Sequence, residues 1–113
     1  MATRTKQGER VAESSGNAFA DLGFVDAEER HTKVRLAAAI NEVLSRRTVS
    51  QAEAGRCLGI NQPKVSALLN YKLDGFSVER LMTFLTALDQ DVEIVIRSKP
   101  RSRRTARIVV TAA

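Results

Sequence analysis

Residues 51–70, QAEAGRCLGINQPKVSALLN, constrain the fold more tightly than any other part of this 113-residue chain. Ser50-Gln51-Ala52-Glu53 has the serine and glutamate of a reciprocal capping box, which opens a helix. Gly55 leaves room for a second helix to cross closely. Gly59 can take the left-handed backbone that ends a helix. Asn61 is a good N-cap, and Pro63 falls in a first turn where an amide needs no intrahelical partner. Ala54, Leu58, Ile60, Val65 and Leu68 fall where the two helices and their turn need buried side chains. Two short helices joined by so tight a turn form a helix-turn-helix, whose second helix enters a DNA major groove. The plainer reading is an αα-hairpin used only for packing inside a bundle.

The flanking sequence supplies the rest of a small helical domain. Residues 1–16 are polar and carry no apolar run, the composition of a disordered arm rather than of a secretory signal. A short helical turn is expected over 17–21, with Phe19, Leu22 and Phe24 as anchors. Asp26-Ala27-Glu28-Glu29 then looks like the capped start of a helix. Leu36, Ile40, Val43 and Leu44 recur at spacings of three and four, so that helix ends near Arg46 and Arg47. Ser77 caps a further helix bearing Val78, Leu81, Phe84, Leu85 and Leu88. After Gln90 the period changes to two, and Val92, Ile94 and Ile96 predict a strand over 91–97. Residues 107–111, RIVVT, could form a short terminal strand. The fold expected is mostly α: a four- to five-helix bundle with a C-terminal β-strand. Residues 17–97 make the domain and 98–113 a basic tail.

Charge is unevenly placed. The net charge of +5 divides into −1 over residues 1–42, +4 over 43–72, −4 over 73–96 and +6 over 97–113. Without its tail the chain is not basic, so the case for a polyanionic partner rests on the block containing Arg46, Arg47, Arg56, Lys64 and Lys72. One cysteine and one histidine leave no intramolecular disulfide, no multi-cysteine zinc site and no nucleophile–base pair. No enzyme activity, cofactor or metal is expected. Cys57 reads as a small hydrophobe and His31 as a solvated side chain. The longest apolar run has five residues, Leu36 to Ile40, far short of a membrane span of about 20. A cytoplasmic location follows.

The stretch TVSQAEAGRCLGINQPKVSALLN resembles the phage-repressor-like XRE family of helix-turn-helix proteins. With NAFADLGF upstream and KLDGFSVERLMTFLTALDQDVEIVIR downstream, residues 17–97 are similar to its HigA-type antitoxin branch, whose members pair with a ribonuclease toxin. Gly55-Arg56-Cys57 departs from the pattern, since relatives usually carry better helix formers there.

Particular roles follow from position. Gln62, at the start of the second helix, can bond an adenine through N6 and N7, and Lys64 can reach guanine or phosphate. Ser66 and Ala67 are short enough for close approach to a groove wall, and Asn70 can meet a base edge or the backbone. The resemblance makes Gln51 a phosphate contact. Arg46, Arg47 and Lys72 add sequence-independent attraction. A lone strand leaves its backbone unpaired, so Val92, Ile94 and Ile96 are expected at a homodimer interface. The dimer would read a pseudo-palindromic double-stranded operator. The function expected is a DNA-binding regulator, an antitoxin that represses its own operon and neutralises a ribonuclease-type toxin. A free-standing regulator without a toxin and a protein-interaction module are the alternatives.

Overall fold

The computed structural model describes residues 18–112, with side chains described from Ala27 onward. The described residues form four helices: α1 (Ala18–Arg47), α2 (Gln51–Leu58), α3 (Gln62–Leu69) and α4 (Val78–Ala87). The arm over 1–16 and the side chains of Phe19, Leu22 and Phe24 lie outside the described residues.

The expected break before Asp26 does not occur. Helix α1 runs unbroken from Ala18, so the described residues form four helices and not five. Nucleating a helix is costly but each added residue contributes a hydrogen bond, so an existing helix extends backward readily. No proline opposes it, and Gly23 costs only about 1 kcal/mol. The Asp26 capping pattern therefore lies within a helix instead of opening one.

From His31 onward the chain builds one core. Leu36, Ala37, Ile40, Val43 and Leu44 of α1 are buried with Ala54 and Leu58 of α2, Val65 and Leu68 of α3, and Leu81, Phe84 and Leu85 of α4. Ile40, Val65, Leu68 and Leu81 are completely enclosed. Burial of each such side chain is worth about 1.5–3 kcal/mol. Leu73 and Phe76, between α3 and α4, and Leu88, just after α4, complete the core, and the rings of Phe76 and Phe84 meet edge-to-face at 5.8 Å. Asn41 of α1 donates its amide to the Leu68 carbonyl at 3.3 Å, tying the end of α3 to α1.

Local signals set the helix ends. Ser50 and Glu53 close the capping box in both directions, at 2.9 and 3.1 Å. The Ser50 backbone N–H donates to the Glu53 carboxylate and holds it below its ordinary pKa, with the Ser50 hydroxyl and Arg56 acting the same way. Stability from this box is complete above the ordinary carboxylate range and is lost as pH falls through the lowered value. Asn61 and Ser77 accept from Lys64 and Arg80 backbone N–H groups at 3.0 Å each. Three helices end in left-handed residues that are not glycine: Thr48 at φ 50°, Tyr71 at 59° and Asp89 at 64°.

Gly59 adopts φ 74° and closes α2, and the Ile60 N–H turns back onto the Gly55 carbonyl at 2.9 Å. A Cβ on Gly55 would stand 2.7 Å from the Ile60 carbonyl oxygen and 3.4 Å from Val65 Cγ2. The departure from good helix formers at position 55 thus has a steric cause.

No strand is present among the described residues, which corrects the expectation for 91–97. Val92 is packed against the core, whereas Ile94 and Ile96 are 75% and 92% exposed. Alternation alone does not make a strand, because its N–H and C=O groups need a second edge. Within one chain 107–111 does not supply it. The tail is not wholly free either: Val110 packs on the core, beside Arg35, Ala38, Ala39 and Glu42 of α1.

Gly55→Ala tests the helix crossing. Alanine is a better helix former by about 1 kcal/mol, while overpacking costs about 1–3 kcal/mol. A net loss of about 0–2 kcal/mol is expected from urea unfolding at unchanged m-value. A variant more stable than its parent would show that the contact constrains nothing.

Candidate nucleic-acid interface

Helix α3 buries Val65 and Leu68 and turns its opposite side outward. At about 100° per residue, Gln62, Pro63, Ser66, Ala67 and Asn70 share one arc of about 140°. Gln62, Pro63 and Asn70 are exposed, while Ser66 and Ala67 are half-buried. The surface is low in the middle and carries amide side chains at both ends. Its hydrogen-bonding capacity suits base edges, and its small centre admits a groove wall.

Lys64 stands apart from that arc. It lies about 200° around the helix from Gln62, and its ammonium rests 5.5 Å from the centre of the Phe76 ring. A cation held over an aromatic face gains about 0.5–1 kcal/mol at an exposed site. Lys64 therefore faces the loop after α3, beside Phe76 and Gly75, and not the amide arc. Asn70 is also partly committed, donating its amide to the Ser66 carbonyl at 2.8 Å as a cap on α3.

Gln51 is exposed in the first turn of α2, where backbone N–H groups favour an anion. The two arginines at the end of α1 diverge. Arg46 is exposed. Arg47 donates to the Leu88 carbonyl at 2.7 Å and reaches the Asp89 carboxylate at 3.4 Å. Its charge sits on the carbonyl end of α4, where the helix dipole favours a cation. The exposed Asp89 pair adds little, since surface ion pairs are worth about 0–1 kcal/mol.

Tyr71 was not singled out by the sequence. It follows α3 directly, is 46% exposed and adjoins Lys72. A large polar-tipped ring left open at the end of a recognition helix was the available signal. Among the described residues no group of three or more potential metal ligands occurs, and no helix is long and apolar enough to cross a membrane.

Arg47→Ala should lower unfolding stability by about 1–2 kcal/mol, because it removes a charge-assisted bond and leaves the Leu88 carbonyl with only the neutral Gln90 amide, at 3.1 Å. Arg46→Ala should change it by less than about 0.5 kcal/mol. Equal effects in urea titrations would show that Arg47 is not a cap.

A family model described as "Helix-turn-helix domain" matches residues 18–97. No curated protein matches the chain. The chain is 74% identical to a solved structure named "Putative XRE Family Transcriptional Regulator", covering 78% of this chain and 99% of that one, with a TM-score of 0.75. On these matches and on the helix crossing at Gly55, this chain belongs to the XRE family of helix-turn-helix proteins.

Proposed function

We propose that this protein is a transcriptional regulator that binds double-stranded DNA through α3. The observation that carries this reading is the outward arc of α3, with Gln62 at its leading end and short side chains at its centre. That arc is held on the core by Val65 and Leu68 and fixed against α2 at Gly55. Gln62 reads a base edge in the major groove, and Ala67 lies against the groove wall or a thymine methyl. Asn70 offers its remaining polar capacity at the trailing end. Gln51, Arg46, Lys64, Lys72 and Tyr71, all exposed, meet phosphates around α3. Arg47 contributes through the long-range field and through the stability of the domain.

Two copies act together in this reading. The arm over 91–97 leaves the core at Val92 and presents Ile94 and Ile96 to solvent, so a second copy gives both the apolar surface and the backbone a partner. Each α3 then reads one half of a pseudo-palindrome, with half-sites about 34 Å or a multiple of it apart. The likeness of residues 17–97 to HigA-type antitoxins extends the proposal to autorepression and to neutralisation of a ribonuclease-type toxin. Co-expression with the product of the adjacent reading frame tests this extension. A stable complex supports it, and a regulator that binds its upstream region with no such partner is a free-standing one.

Anisotropy titration of the upstream duplex tests the central claim. Gln62→Ala should cost about 1–3 kcal/mol on the preferred site and relax discrimination there. Unchanged affinity and discrimination would remove Gln62 from the readout. Sedimentation tests the dimer. The parent should be dimeric at micromolar concentration, and Ile94→Asp with Ile96→Asp should be monomeric at unchanged helical content. A parent that stays monomeric both free and on DNA overturns the dimer.

A further inference from the structure

The six cations at the C-terminal end are Arg97, Lys99, Arg101, Arg103, Arg104 and Arg107, and no acid accompanies them over 97–113. Their setting differs from that of a free tail. The chain is packed on the core at Val92 before them and at Val110 after them, so they occupy a loop tethered at both ends. The loop has a turn of its own: the Arg103 N–H donates to the Pro100 carbonyl at 3.2 Å and the Lys99 ammonium to the Arg103 carbonyl at 2.9 Å. Arg103 also donates to the Thr105 carbonyl at 3.2 Å. These partners are all backbone carbonyls. Among the described residues the acids of 73–96 do not ion-pair with the loop; Asp89 turns to Arg47 instead. The loop thus keeps its full +6.

We propose that residues 97–107 are a second DNA contact, a cationic clamp that grips backbone phosphates beyond the groove read by α3. It rests on the DNA-binding reading above. Composition selects the partner. From Arg97 to Arg107 there is no apolar side chain larger than proline, so the loop offers nothing for the apolar centre of a protein interface. Its remaining side chains include Ser98, Ser102 and Thr105, and hydroxyls together with arginines are the usual donors to phosphate oxygens. Reach is sufficient as well. Seven residues separate Val92 from Pro100, which when extended span about 23 Å, against a radius of gyration of about 13 Å for a domain of this size. The clamp binds any sequence, while α3 selects among sequences.

The test compares the parent, a loop variant (Lys99→Gln, Arg101→Gln, Arg104→Gln, Arg107→Gln) and Gln62→Ala, each as the full chain. Binding is measured on the upstream duplex and on an unrelated duplex of equal length across a salt series. Each phosphate contact contributes about 0.9 to the slope of log K against log salt. The loop variant should show a slope shallower by about 2–4 and an affinity lower by about 10- to 100-fold on both duplexes alike. Restoring the four positions as lysine should recover the slope. Gln62→Ala should lose affinity on the upstream duplex only, at unchanged slope. A loop variant with the parental slope overturns the clamp and leaves the α3 reading standing; capture of an acidic protein by the loop would appear as that outcome. A parent that prefers neither duplex, but whose slope still falls in the loop variant, overturns the α3 reading and leaves the clamp standing. Unchanged helical content and thermal midpoint in the loop variant assign the effect to charge.

Discussion

Everything outward-facing in this domain depends on one close approach, that of the Ile60 carbonyl to Gly55. The turn must reverse the chain within a few residues while α3 lies against α2. Only a residue without a side chain lets the backbone oxygen come so near. The left-handed Gly59 permits the reversal, and the bond from Ile60 to Gly55 fixes it. Given that crossing, Val65 and Leu68 must face inward, and the sides of α3 that remain are settled by helical geometry. The outward arc is a result of packing as much as of its own residues.

Charge follows a second logic. Cations inside the folded domain are partly spent on structure: Arg47 on the end of α4 and Lys64 on the Phe76 ring. The loop over 97–107 spends almost nothing, bonding only to its own carbonyls. In the reading proposed above these are two tasks: selectivity rests on the shape and amides of α3, and attraction on the loop together with Arg46, Lys64 and Lys72.

Local features were legible in the sequence because their causes are local. Ser50, Glu53, Asn61 and Ser77 cap where their spacing indicates, and Gly59 turns where a helix has to stop. Features that depend on partners distant in sequence were not legible. Nothing near Arg47 announces that the Leu88 carbonyl lies within reach, 41 residues away. Lys64, two residues on from Gln62, lies about 200° around α3 by helical geometry alone and not on the same side; the Phe76 ring under its ammonium is the part that only the fold supplies. The alternation of Val92, Ile94 and Ile96 suggests a strand that does not form, because among the described residues no second edge lies beside it to pair with its backbone. Asp26 shows the converse error, a start signal overridden because helix already preceded it.

The ends of α1 and α4 meet at a single guanidinium. Each helix brings a negative dipole end to that junction, and Arg47, the last residue of α1, places its charge on the carbonyl end of α4. Gln90 and the arm over 91–97 leave from the same place, immediately after the left-handed Asp89. Asp89 answers the same guanidinium, so the residue at which the chain turns out of α4 is tied to the last turn of the first helix. A contact 41 residues apart in sequence thus anchors the point from which the arm sets out.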